Sequence, residues 1–191
     1  MAQEIEIEFK NLLSKEEYTK LRAGLPFHSA SMTQTNHYFD TEAFNLKQKG
    51  SALRIREKND RFTLTLKEPH PDGLLETHDT LTDEEAASWI EGSPLPKENV
   101  GEQLEQLGVN EADLKLFGSL TTERLETKSN GVLLVLDYST YNGENDYELE
   151  IEAMDRKSGQ AAMEEVLQEF SIPRRKTPNK IERFYNSMKK K

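Results

Sequence analysis

The sequence predicts an α+β fold built mostly from antiparallel strands, and three observations predict it. Strict alternation of apolar and charged residues recurs along the chain, the period-two signature of strands with two unlike faces. Short turn signals ("KG", "ND", "HPDG", "SNG", "YNGEND") separate these runs at hairpin spacing. Helical periodicity with capping signals fills the intervals between them.

In order along the chain, the opening "MAQEIEIEFKN" reads as a strand over 4–10 with Ile5, Ile7 and Phe9 on one face. Glu4, Glu6, Glu8 and Lys10 share the other face, their carboxylates about 7 Å apart. "SKEEYTKLRAGL" reads as a helix, with Ser14 as N-cap and Glu17 completing a capping box. Strands are expected over 34–41, 51–58, 61–68 and 74–82, the last three as consecutive hairpins. Thr82 and Glu85 form a second capping box opening "DEEAASWIEG". After the "SPLP" break, "ENVGEQLEQLG" and "EADLKLF" read as short helices. Strands resume over 118–128, 131–140 and 146–154, again as hairpins. A helix over 159–172, the basic loop "IPRRKTPNK" and a terminal helix over about 179–189 finish the chain. One domain over 1–191 is expected, with two loosely similar halves.

Composition narrows the function. The 191 residues carry 35 Asp and Glu against 25 Lys and Arg, a formal charge of −10. That balance argues against general nucleic-acid binding through a broad basic surface. Without cysteine, thiolate chemistry and disulfides are excluded. The acidic N-terminus resembles no secretory signal, and no apolar run approaches a membrane span, so a cytoplasmic protein without membrane attachment is expected.

The charged faces carry the chemistry. Arg54 and Arg56 oppose Leu53 and Ile55; Thr63, Thr65 and Lys67 oppose Phe62, Leu64 and Leu66; Glu76 and His78 share a side. Thr122, Arg124 and Glu126 share another, and Glu148, Glu150 and Glu152 oppose Leu149 and Ile151. A one-sided sheet has a wet, charged face in any case. Here acids concentrate on some strands and bases on others, which predicts a shared interior with an acidic and a basic side. If the strands close into a barrel, those faces line one lumen and the apolar faces lie outside under helices. Arg and Lys suit polyanions, and clustered carboxylates suit hard divalent cations, Mg²⁺ or Mn²⁺. Phosphate, metal and carboxylates together are the apparatus of phosphoryl transfer. In "VLLVLD" both faces are apolar, so that strand announces no polar face. His37 reads as a structural residue more readily than a catalytic one, Tyr38 and Asp40 could line the tunnel or simply pack a strand, and "RRK" (174–176) reads as a solvated loop.

"EIEFK", with Glu6, Glu8 and Lys10, resembles the Glu-x-Glu-x-Lys signature of the CYTH superfamily, the triphosphate tunnel metalloenzymes. "YFDT" (38–41), "LRIR" (53–56), "TLK" (65–67), "TTER" (121–124), "ELEIE" (148–152) and "NKIER" (179–183) resemble further family blocks in the same order, closest to the Firmicutes branch. The resemblance implies an eight-stranded antiparallel β-barrel with a charged lumen, outer helices, and a C-terminal helix closing the tunnel. It also implies metal-dependent hydrolysis of a triphosphate: tripolyphosphate, a nucleoside triphosphate or thiamine triphosphate. By that resemblance Glu6, Glu8, Glu148 and Glu150 hold metal and, with Lys10, act in catalysis. Lys10, Arg54, Arg56, Lys67, Arg124, Lys180 and Arg183 bind phosphate. Glu76 and Asp137 match positions often acidic in the family, His78 is a candidate donor or base, and Glu4 and Glu152 extend the two acidic rows. Class IV adenylate cyclase and thiamine triphosphatase stay open as alternatives, as do a non-catalytic polyphosphate or nucleotide sensor and a homodimeric state.

Overall fold

A computed structural model describes residues 2–27 and 30–188. They divide into two compact units. The first comprises the chain up to Glu6 together with Gln34–Leu120; the second comprises Ile7–Thr33 and the chain from Thr121 onward. All strand pairs whose register is described are antiparallel, as the sequence predicts.

The first unit contains β1 (Gln3–Glu6), β3 (Met32–Thr41) from Gln34 onward, β4 (Ala52–Lys58), β5 (Arg61–His70), β6 (Gly73–Leu81) and the start of β7 (Leu114–Ser129). Its strand order runs β1-β6-β5-β4-β3. The β4–β5 turn places Asn59 and Asp60 at φ 52° and 55°, the left-handed pair that a two-residue hairpin requires. At Gly73 an added Cβ would lie 2.2 Å from the Glu6 carbonyl oxygen, so only glycine lets β1 approach β6 here. Leu53, Ile55, Leu64 and Leu66 pack one face of these strands against Leu46 of α2 (Asn45–Gln48), Trp89 of α3 (Asp83–Ile90), and Val100 and Leu104 of α4 (Glu98–Gln106). The opposite face carries the polar row: Arg54 pairs in register with Thr65, Thr65 with His78, and Lys67 with Glu76.

The second unit contains β2 (Glu8–Leu13), the rest of β7, β8 (Val132–Tyr141) and β9 (Glu144–Glu152), ordered β7-β8-β9-β2. Leu125, Leu134, Leu136, Leu149 and Ile151 form its apolar face. They pack against Tyr18 and Leu21 of α1 (Lys15–Gly24) and Met163, Val166 and Leu167 of α5 (Arg156–Glu169). Both expected capping boxes form, Ser14 with Glu17 and Thr82 with Glu85. The last helix, α6, spans Lys180–Met188; the final residue expected of it, Lys189, lies outside the described residues.

Several boundaries differ from expectation. The opening strand is two, because the chain changes partner at Ile7: β1 pairs with β6 and β2 with β9. This break raises the strand count from the expected eight to nine among the described residues. "EADLKLF" is one 3₁₀ turn, Glu111–Asp113, followed directly by β7, so strand pairing overrides its short helical pattern. The helix expected over 159–172 starts at Arg156, because Asp155 caps it through the Ser158 amide.

Candidate functional site

Each unit builds its own charged cluster on the face opposite its apolar core. In the first, Lys67 Nζ donates to Glu6 Oε2 at 2.5 Å and also contacts Glu76. Glu76 is buried, which pushes its carboxyl up, but Lys67 and Arg54 outweigh this and hold its pKa down to about 2. His78 Nδ1 lies 3.0 Å from Thr65 Oγ1, and Nε2 lies 3.3 Å from Glu4 Oε1 and 3.5 Å from Glu76 Oε2. Arg56 Nε donates to Asn36 Oδ1 at 3.2 Å. Arg54 Nε is buried and has no hydrogen-bond partner among the described residues, an available donor for an anion.

The second cluster is denser. In register, Arg124 sits opposite Asp137, Asp137 opposite Glu148, and Glu148 opposite Leu12. Lys10 sits opposite Glu150, and Glu8 opposite Glu152. Arg124 clamps Asp137 with a planar fork, Nε to Oδ1 at 2.8 Å and Nη2 to Oδ2 at 2.6 Å, and reaches Glu150 Oε2 at 2.7 Å. Lys180 Nζ contacts Asp137 Oδ2 at 2.8 Å, Glu148 Oε2 at 2.6 Å and Glu150 Oε1 at 2.5 Å. Arg183 donates to Glu148 Oε2 at 2.8 Å and Asp146 Oδ2 at 2.9 Å. Lys10 Nζ donates to Glu8 Oε1 at 2.6 Å and Asn179 Oδ1 at 2.9 Å. Burial alone would push the Glu150 carboxyl up, but Lys180, Arg124 and Lys10 hold it well below the usual carboxylate range. Burial alone would pull Lys180 and Arg124 down, yet the carboxylates around them raise both well above their ordinary values.

One ligand oxygen from each of Asp137, Glu148 and Glu150 lies within 4.8 Å of the others. An all-oxygen anionic donor set of this kind fits a hard divalent cation, Mg²⁺ or Mn²⁺. In the first unit Glu4, Glu76 and His78 converge within the same limit, with a nitrogen donor among them.

The expected segregation of acids from bases fails in the second unit, where the cations lie directly on the acids. Glu148 and Asp137 are fully buried, and buried charge persists only when paired. Glu6 and Glu8, neighbours in the signature, belong to different units and hold different lysines. In β8, Leu133 and Val135 share their row with Asp137 and Ser139, so the polar contribution of that strand comes from its second half. Sequence reasoning missed Asp146, which accepts from both Arg183 and the Tyr141 hydroxyl. Its spacing two residues before Glu148 continues the acidic row and was the available signal.

Three other residues prove structural. Asp40 accepts from the Thr41, Leu46 and Lys47 amides. His37 Nδ1 lies 2.7 Å from Ser119 Oγ, and burial lowers its pKa. Arg175 is no free loop cation: it forks onto Glu17 at 2.8 and 2.9 Å.

The elements and charged faces define an α+β protein with antiparallel strands and buried acid–base clusters. Residues 4–185 match the CYTH domain family, and the chain belongs to it. It is 48% identical, over 191 residues and 99% of the relative's length, to a Bacillus subtilis protein named "Putative triphosphatase YjbK". A crystal structure from Bacillus halodurans, described as "a putative adenylate cyclase", superposes with a TM-score of 0.93 at 44% identity, over 97% of this chain and all of that one. A Hippeastrum protein described as a "putative adenylyl cyclase" that "reveals a dominant triphophatase activity" superposes at 0.78 and 27% identity, over 95% and 96% of the two chains. No helix among the described residues is long and apolar enough to cross a membrane.

Proposed function

We propose that the protein is a divalent-metal-dependent triphosphatase acting on inorganic triphosphate or a small triphosphorylated molecule. The observation that carries this reading is the convergence of the buried Asp137, Glu148 and Glu150 carboxylates, ringed by Arg and Lys. These carboxylates would hold Mg²⁺ or Mn²⁺, with Glu8 as a further acidic group of that unit; in the first unit Glu6 and Glu76 would be the acidic groups of its own cluster. When bound, the ion would neutralise phosphate oxygens and acidify a water. The chain's own cations do the rest. Lys10, Arg124, Lys180 and Arg183 in the second unit, and Arg54, Arg56 and Lys67 in the first, bind phosphate oxygens. Beside the metal-holding carboxylates, Lys10, Arg124, Lys180 and Arg183 would also stabilise charge developing on the leaving diphosphate. Arg54 supports this most directly, since its buried Nε lacks a partner among the described residues. We read the chain as one functional CYTH domain working in the cytoplasm.

Phosphate release from tripolyphosphate, ATP and thiamine triphosphate with Mg²⁺ or Mn²⁺ tests the reading, with Glu148→Gln beside the parent. Turnover of at least one substrate, lost in Glu148→Gln, is expected. No turnover of any substrate, with tripolyphosphate still bound, would replace the enzyme with a sensor. The description of the Bacillus halodurans relative favours one second reading, cyclisation of ATP. Cyclic AMP measured in the same ATP reaction separates the two.

A further inference from the structure

The second unit's carboxylate nest already contains a cation. Both oxygens of Asp137 and both of Glu150 contact Arg124 or Lys180, and both of Glu148 contact Lys180 or Arg183. The Lys180 ammonium touches one oxygen from each of the three acids at 2.5–2.8 Å. A divalent ion ligated by the same oxygens would stand about 2.0–2.2 Å from each of them. Two cations cannot share that space.

We infer that Lys180 is the resident cation of this nest, and that a divalent ion enters it together with a polyphosphate anion rather than alone. The inference rests on the metal assignment proposed above. Lys180 is the first residue of α6, and the chain just before it, 173–179, has no regular secondary structure. Its long side chain can swing out without unwinding the helix. An ammonium leaving three carboxylates needs a new anionic partner, and free metal supplies none. A polyphosphate supplies one, and its charge balances the incoming ion. Anion and metal therefore favour one another's binding, and the coupling is reciprocal.

The test is Mn²⁺ titration, following free Mn²⁺ by electron paramagnetic resonance, with and without the non-hydrolysable diimidotriphosphate. A protein-free titration subtracts chelation by the analogue. The parent should bind Mn²⁺ weakly alone and at least about tenfold more tightly with the analogue, within the usual range of such couplings. Lys180→Met and Lys180→Gln should each bind Mn²⁺ alone about tenfold more tightly than the parent and show less gain from the analogue. Equal Mn²⁺ affinity of the parent with and without the analogue would overturn the inference even if neither variant folds. Folded variants that bind Mn²⁺ no better than the parent would overturn it too. Glu148→Gln separates the two failures. If it binds Mn²⁺ plus analogue as well as the parent, the metal assignment itself is wrong. If it loses that binding while Lys180 proves irrelevant, the assignment stands and only the displacement fails.

Discussion

Each unit sets a lysine among carboxylates, and they bury it to different depths. Lys67 and Glu6 keep 17% and 19% of their side chains exposed, and of that cluster Glu76 falls to 6%. Lys180 keeps 11%, and around it Asp137 and Glu148 are fully buried and Glu150 keeps 7%. In the first unit partial exposure lets water reach Lys67 and Glu6, while the buried Arg54 Nε has no hydrogen-bond partner among the described residues. Full burial removes that option, and the second unit recruits Arg124 and Arg183 to complete its acids. The first cluster thus keeps one donor, Arg54 Nε, in hand, while the second has its oxygens already engaged and must exchange partners to bind anything.

The sharpest way to break this contrast is Arg124→Ala. Asp137 Oδ1 and Glu150 Oε2 would lose their Arg124 partner while Lys180 keeps only the other oxygen of each, which should cost about 3–5 kcal/mol in urea unfolding, whereas Lys67→Ala, at a wetter site, should cost about 1–2 kcal/mol. Equal costs would end the distinction. Next comes Glu148→Gln, which should lower phosphate release about 10²–10³-fold, the scale of losing one preorganised charge contact. A loss under about tenfold would leave no basis for the second unit as metal holder.

Acid stability probes the first unit. The Glu76 pKa is lowered from 4.5 to about 2, so its stabilisation is fully present above pH 4.5 and is lost as pH falls towards 2. That share is at most about 3 kcal/mol. Glu76→Gln should flatten the pH dependence of unfolding between pH 4.5 and 2 without abolishing it, because Glu150 in the second unit is lowered too. An unchanged slope would mean Glu76 is not held by Lys67 and Arg54. The smallest effect is a control for local structure. Ser14→Ala and Thr82→Ala remove equivalent capping boxes, one per unit, and each should cost about 1 kcal/mol in thermal unfolding. A large difference between them would show that the units differ in more than their charged faces.

Much of this was readable from local rules. A capping box needs only residues three apart, and a two-residue hairpin only the pair that turns, so Ser14, Thr82 and the Asn59–Asp60 turn appear as the sequence predicts. Faces of strands follow from parity, so Leu64 and Leu66 went to the core and Lys67 to the charged row. Partner choice is not a local property. Nothing in "EIEIEFK" marks Ile7 as the residue where the chain leaves β6 and joins β9. "EADLKLF" fits a helix until β7 claims it.

The amino-acid sequence alone determined the antiparallel α+β class, the polar and apolar face of each strand, and the set of acids and bases available. Alternation, capping and turn chemistry act over a few residues and need no distant partner. Only the tertiary structure decided which charge meets which. Arg124 reaches Asp137 across β7 and β8, and Lys180 joins Glu148 and Glu150 from a helix some 30 residues further along. Burial enforced those pairings: with Asp137 and Glu148 withdrawn from water, Arg124, Lys180 and Arg183 had to stand where strand-by-strand reading had put only acid.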